Sequence, residues 1–174
     1  GVDCHHANME VWDKRLFEWI NPGKARRIGW DKWVRWMLES VEVLGEGNAR
    51  PNFVCGVELA RPHGFDNIHD AIKSTSDGVE FMMQHGVFPR FNQWRREPGS
   101  DLVSQNEQPA IPLEFYIQIM RRYYESWTKY RLPFPHHDSV HPERRWGSGH
   151  ATYDDMIFLN NWPNYEEEWD RGSK

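Results

Sequence analysis

The longest regular hydrophobic pattern in the chain runs through Trp30, Trp33, Val34, Met37, Leu38, Val41 and Leu44. These positions recur at i, i+3, i+4, i+7, i+8, i+11 and i+14, the spacing that lines up one stripe of an α-helix. Gly45 and Gly47 supply its stop. Ahead of it, Val11, Trp12, Leu16, Trp19 and Ile20 predict a short helix over 11–19, closed by Asn21-Pro22-Gly23. The basic run Lys24, Arg26 and Arg27 is expected in a solvated loop. A third helix is predicted over 66–85, with Ile68, Ala71 or Ile72, Thr75, Val79, Met82 and Met83 buried and Gly86 at its end. A fourth follows Pro112, whose ring pre-sets φ for a first turn. Leu113, Tyr116, Ile117, Met120, Tyr124 and Trp127 mark its inner side, and Leu132-Pro133-Phe134-Pro135 breaks it.

Between the helices lie shorter apolar runs. Residues 52–60 are almost continuously apolar, as in a strand of a parallel sheet covered on both faces. Cys55 within that run is expected to be a small core residue. Residues 87–94 read as another strand, and Cys4-His5-His6 through Asn8-Met9-Glu10 as an opening one. Strand and helix therefore alternate three times, with strand starts about 35 to 45 residues apart, which predicts βαβ units and a parallel sheet. The fold class expected is α/β, with parallel βα units over 1–132 forming part of a TIM-like partial barrel. A partly irregular extension is expected over 133–174. In such folds functional polar groups gather just beyond the carboxyl ends of the strands. Asn8 and Glu10 are candidates on that ground, the alternative being a frayed, solvated terminus.

Composition narrows the picture. The 174 residues suit one domain, and an aromatic content of 14% with ten Trp places much of the burial in large rings with polar handles. The net charge of −5, without a basic stripe, argues against a nucleic-acid partner. No apolar run approaches the roughly 20 residues of a membrane span, so a soluble protein is expected. Two cysteines are too few for a disulfide scaffold and suit a reducing, cytoplasmic compartment. The chain opens at Gly1 inside sequence that reads as structured, as expected of a piece of a longer polypeptide.

Three segments carry a resemblance. Asn8-Met9-Glu10 at a strand end resembles the H-N-L-E or H-N-L-D signature of biotin synthase and lipoyl synthase, members of the radical S-adenosylmethionine superfamily. Val54-Cys55-Gly56-Val57-Glu58 falls where the next strand of those enzymes carries a G-x-I-x-G segment. Phe91-Asn92-Gln93-Trp94 through Glu97-Pro98-Gly99-Ser100-Asp101-Leu102 resembles the strand after that. The resemblance covers residues 4–130 and corresponds to the C-terminal half of the family's partial barrel. It implies that Asn8 and Glu10 contact the ribose of S-adenosylmethionine, and that the backbone of Gly56 and Val57 lies along the adenine. The family's arginine for the methionine carboxylate would fall near Trp33, which leaves Lys32 and Arg35 as neighbours. The family's 4Fe-4S cluster needs a C-x3-C-x2-C loop, and two cysteines cannot supply it. The resemblance thus implies a cluster-binding N-terminal half or subunit as partner, and a small-molecule substrate.

Other candidates come from the residues alone. His5 or His6 is placed to line a substrate cavity, and Arg90, Arg95 and Arg96 offer guanidinium forks to an anionic substrate or to the cofactor carboxylate. Glu58 offers either a second polar contact in the mouth or a pair with Arg61. A metal-dependent hydrolase would draw on His5-His6 and on His136-His137-Asp138 with His141, although no H-E-x-x-H or C-x-x-C is present. The remaining alternative is a non-catalytic half-barrel scaffold, whose open sheet edge pairs with a partner or with itself.

Overall fold

The computed structural model describes residue 2 and residues 4–133. The elements are helices α1 (Lys14–Ile20), α2 (Pro22–Arg27) and α3 (Trp30–Leu44), strand β1 (Asn52–Cys55), helix α4 (Ile68–Gln84), strand β2 (Arg90–Gln93), and helices α5 (Asp101–Ser104) and α6 (Leu113–Tyr130). A single 3-10 turn, Val57–Leu59, follows β1.

β1 and β2 pair in parallel with Asn52 opposite Arg90 and Cys55 opposite Gln93, and α4 forms the crossover between them. The opening segment lies parallel to β1 on its other side through isolated bridges, His5 with Ala49 and Glu10 with Phe53. Its backbone bonds include His5 N–H to Asn48 O at 2.9 Å, Arg50 N–H to His5 O at 2.7 Å and Val54 N–H to Glu10 O at 2.7 Å. Among the described residues two of the three expected strands are present, each shorter than its apolar run, and the opening segment contributes isolated bridges rather than a strand. β1 ends at Cys55 because Gly56 turns at φ +107°, a region open to glycine. Pro51 and Pro89 lack N–H donors, so regular pairing starts only beyond them.

Asp13 caps α1, its carboxylate accepting the Leu16 N–H at 2.8 Å. The basic run after α1 is helical rather than looped. Pro22 opens α2, and Lys24, Arg26 and Arg27 sit in its last turn, where cations complement the carboxyl end of the helix dipole. α4 buries the face its periodicity predicts, Ala71, Ile72, Thr75, Val79, Met82 and Met83 among it. α6 does not. It buries Phe115, Ile119, Tyr123, Ser126 and Trp127, while Leu113 is 72% and Ile117 47% exposed. α6 is apolar on two sides, and the side carrying the larger rings packs against α4 and the sheet.

Phe53, Phe91 and Tyr123 stack through the core, with centroids 5.5 Å and 5.6 Å apart. The buried Tyr123 hydroxyl donates to Pro89 O at 2.7 Å, a carbonyl left over from the broken ladder. Tyr123→Phe is expected to lose about 1 to 2 kcal/mol in urea unfolding, through a buried acceptor left without its donor. No change in midpoint would mean that water replaces the hydroxyl. Among the described residues no helix is long and apolar enough to cross a membrane.

Candidate functional site

Glu10 is the most constrained of the residues the sequence singles out. The N–H groups of Met9 and Glu10 both donate to Asn52 O, at 2.9 Å and 3.0 Å, where the segment crosses onto β1. Glu10 itself takes φ +69°, a left-handed conformation that L residues adopt at a cost of roughly 1 to 2 kcal/mol. Its carboxylate meets Lys24 from α2. The ammonium donates to Glu10 Oε1 at 2.9 Å and to Asn8 O at 2.8 Å, and lies 5.3 Å from the Trp33 ring centroid. The buried Trp33 Nε1 has no hydrogen-bond partner among the described residues. Lys24 is therefore part of the site, and no local sequence pattern shows it: 14 residues separate it from Glu10. Asn8 and His6 are exposed and His5 half-buried, its Nδ1 3.4 Å from Ser40 Oγ.

A second cluster forms where β1 gives way to the 3-10 turn. Glu58 is fully buried. Oε2 accepts the Gly56 N–H at 2.7 Å, and Oε1 accepts the Thr75 hydroxyl of α4 at 2.5 Å. Burial pushes its carboxyl up to about 7, against the opposing pull of the Thr75 and backbone hydrogen bonds. Burial likewise pushes the Tyr116 phenol up to about 12, with Cys55 and Glu58 adding to it. Glu58 does not pair with Arg61; that guanidinium reaches Asp66 at 2.9 Å. The separation has a simple cause, since the 3-10 turn directs Glu58 inward and Arg61 lies past its end.

The other candidates fall apart in space. Arg35 lies on the outer side of α3, 3.7 Å from Glu39, and is not brought to Glu10. Arg90 opens β2 opposite Asn52, so it stands at the amino end of the strand rather than the carboxyl end expected of it. Arg95 is exposed beyond β2, and Arg96 Nη1 donates to Gln108 O at 3.2 Å. Val57 is buried, and a Cβ built on Gly56 would lie 3.1 Å from both Ile111 Cγ1 and Tyr116 Oη. Two open clefts, of about 510 and 410 Å³, flank Phe65 and Asp70. None of the site candidates named from the sequence lines either, although Trp12 and Trp30 line the larger.

S-adenosylmethionine is therefore fitted in part. A carboxylate and an adjacent amide, Glu10 and Asn8, suit a ribose diol, because a carboxylate accepts two hydroxyls at once. The Gly56–Val57 backbone offers no open wall while Ile111 and Tyr116 cover it. A 4Fe-4S cluster is not fitted, since Cys4 and Cys55 are the chain's whole complement. Among the described residues no group of three His, Cys, Asp or Glu side chains is gathered for a metal ion. His136, His137, Asp138 and His141 lie outside the described residues.

No family model matches the chain, and no solved structure does. Over 135 residues the chain is 22% identical to the bacteriochlorophyllide c C-7(1)-hydroxylase of Chlorobaculum limnaeum. The match covers 77% of this chain and 30% of that protein, so the chain spans less than a third of its relative's length.

Proposed function

We propose that the chain is one portion of a radical S-adenosylmethionine protein, a run of partial-barrel βα units that holds the cofactor's nucleoside. The hydroxylase relative is a member of that superfamily and is neither biotin synthase nor lipoyl synthase. It supports the superfamily and not those enzymes in particular. The cluster belongs to another half or subunit, and the substrate is a small molecule that meets the cofactor at the mouth.

One observation carries the reading: a carboxylate is kept at a backbone position that glycine would occupy without strain. Strain of this kind persists where a side chain is needed. Glu10→Gly separates the two roles. It removes the left-handed penalty together with a partly exposed ion pair to Lys24 whose worth is about 0 to 1 kcal/mol. Its thermal midpoint is expected to equal or exceed that of the parent. Its affinity for S-adenosylmethionine, read by titration calorimetry on the chain joined to its cluster-binding partner, is expected to fall about 100-fold, as two lost charge-assisted hydrogen bonds imply. Equal affinity in parent and variant would remove Glu10 from the site and the nucleoside reading with it.

Leu113 and Ile117 favour a second reading, since an apolar strip on α6 open to solvent suits a covering neighbour. A half-barrel scaffold would show that association and no affinity for the cofactor.

A further inference from the structure

Residues 105–111 lie across the carboxyl end of β1, between α5 and α6. They are tied there at Gln108, by its side chain and by Arg96 Nη1, which donates to its carbonyl at 3.2 Å. Gln108 is buried, and its amide grips Arg61 in both directions: Oε1 accepts the Arg61 N–H at 2.8 Å, and Nε2 donates to Arg61 O at 3.0 Å. Nε2 also donates to Leu102 O at 2.5 Å. Residues 106–111 enter none of the turn and loop backbone–backbone hydrogen bonds found among the described residues. Gln105, Glu107 and Ala110 are exposed, and Asn106, Pro109 and Ile111 half-buried. A segment without turn or loop backbone bonds, tied at one residue by the Gln108 side chain and by Arg96, is one that opens below the global unfolding energy.

Beneath it lie a carboxyl, a phenol and a thiol. Ile111 lies over Gly56, where it meets the Tyr116 hydroxyl, and Cys55 and Glu58 flank that point, both fully buried. A carboxylate, a phenol and a thiol packed at a strand's carboxyl end, under a strap tied at one residue, Gln108, form a covered site.

We infer that residues 105–111 are a gate, closed by the Gln108 side chain over the Gly56 face at the end of β1, and that ligand enters only after Gln108 releases Arg61. The assignment of nucleoside to that face rests on the function proposed above. The opening itself does not.

Cys55 reports the opening directly. In a Cys4→Ser background it is the only thiol of the chain. Its labelling by a small disulfide reagent is expected to be almost independent of urea at low concentration, as for local opening, and to follow global unfolding only near the midpoint. Gln108→Ala is expected to speed labelling at least about tenfold, because it removes three part-buried hydrogen bonds that close the strap. Ile111→Ala, which keeps the latch and shortens the cover, is expected to speed it too. Labelling that follows global unfolding at every urea concentration overturns the gate, and the parent protein alone gives that answer if a variant fails to fold.

S-adenosylmethionine affinity is read on the same proteins joined to their cluster-binding partner. Tighter binding by Gln108→Ala, by about the factor gained in labelling, supports a gate on the nucleoside site, since a ligand that needs the open form is weakened by the closed population. Faster labelling without cofactor binding in either protein keeps the gate and removes the nucleoside. Unchanged labelling with unchanged, measurable binding removes the gate and keeps the nucleoside.

Discussion

At pH 8 the Glu58→Gln variant is expected to be more stable than the parent by up to about 3 kcal/mol, and at pH 4.5 the two are expected to be equal. Glu58 sits in the core with its carboxyl raised from the ordinary 4.5 to about 7, burial being the chief cause. The fold therefore prefers the protonated form. Its stabilising contribution is complete below about 4.5, is lost as pH rises toward 7, and stays lost above that. Each pH unit between the two values is worth about 1.4 kcal/mol, which sets the size of the loss. The local hydrogen bonds explain why glutamine fits. The Gly56 N–H always donates, and one oxygen of the side chain accepts it in either form. The Thr75 hydroxyl donates to an ionised Glu58 and can turn to accept from a protonated one, or from the Nε2 of glutamine. Tyr116 remains a phenol throughout this range. Urea unfolding of parent and variant at pH 4.5, 6 and 8 measures the difference, and other titrating groups cancel in it. A constant offset at all three values would mean that Glu58 titrates as it does in the unfolded chain. Glu58→Ala is expected to lose about 2 to 5 kcal/mol at every pH, because it leaves a cavity and two buried donors without acceptors.

Glu58 also shows where sequence reading reaches its limit. Its neighbours in sequence suggest a strand end and an ion pair with Arg61. Its actual partner, Thr75, comes from the next helix, where it reads as a position on an apolar stripe. Periodicity located α3 and the buried face of α4 because each has one dominant apolar side. On α6 it found Trp127 but centred the stripe on Tyr116, Met120 and Tyr124, which pack only partly buried against the core, in place of Phe115, Ile119 and Tyr123. Only the sheet, with Phe91 facing Tyr123, decides between them. β1 and β2 were legible from their apolar runs, whereas their ends depend on Gly56 and on the missing donors of Pro51 and Pro89. At the site, Asn8 and Glu10 were legible as polar residues at a strand end. Lys24, Gln108 and Trp33 were not, because each acts on a segment 14 or more residues away or through a ring that reads as core.

Gly78→Ala is expected to destabilise the protein by about 2 to 3 kcal/mol, although alanine in a helix interior ordinarily gains close to 1 kcal/mol over glycine. A Cβ at Gly78 would lie 2.4 Å from Trp12 Cγ and 2.5 Å from Cδ2, inside the indole ring system rather than at the end of a flexible chain. That ring is held on two sides. It stands edge-on to Trp30 at 5.0 Å and tilts against Phe81 at 5.3 Å, while Trp30 Nε1 holds the Trp12 carbonyl at 2.8 Å. Overpacking of this kind costs about 1 to 3 kcal/mol, added to the propensity gain that is not realised. The contact lies two residues past Glu10, so displacing Trp12 pulls on the segment that holds the carboxylate against Lys24. If the chain binds S-adenosylmethionine as proposed, the affinity of Gly78→Ala for it is expected to fall together with its stability. Trp12→Ala supplies the control. In that background the Gly78→Ala change meets no ring and is expected to be neutral or to gain up to about 1 kcal/mol, so the double-mutant cycle should show a coupling of at least about 2 kcal/mol. A coupling near zero would mean that α4 tolerates the methyl by shifting as a body, and that Trp12 does not anchor the opening segment to the crossover helix.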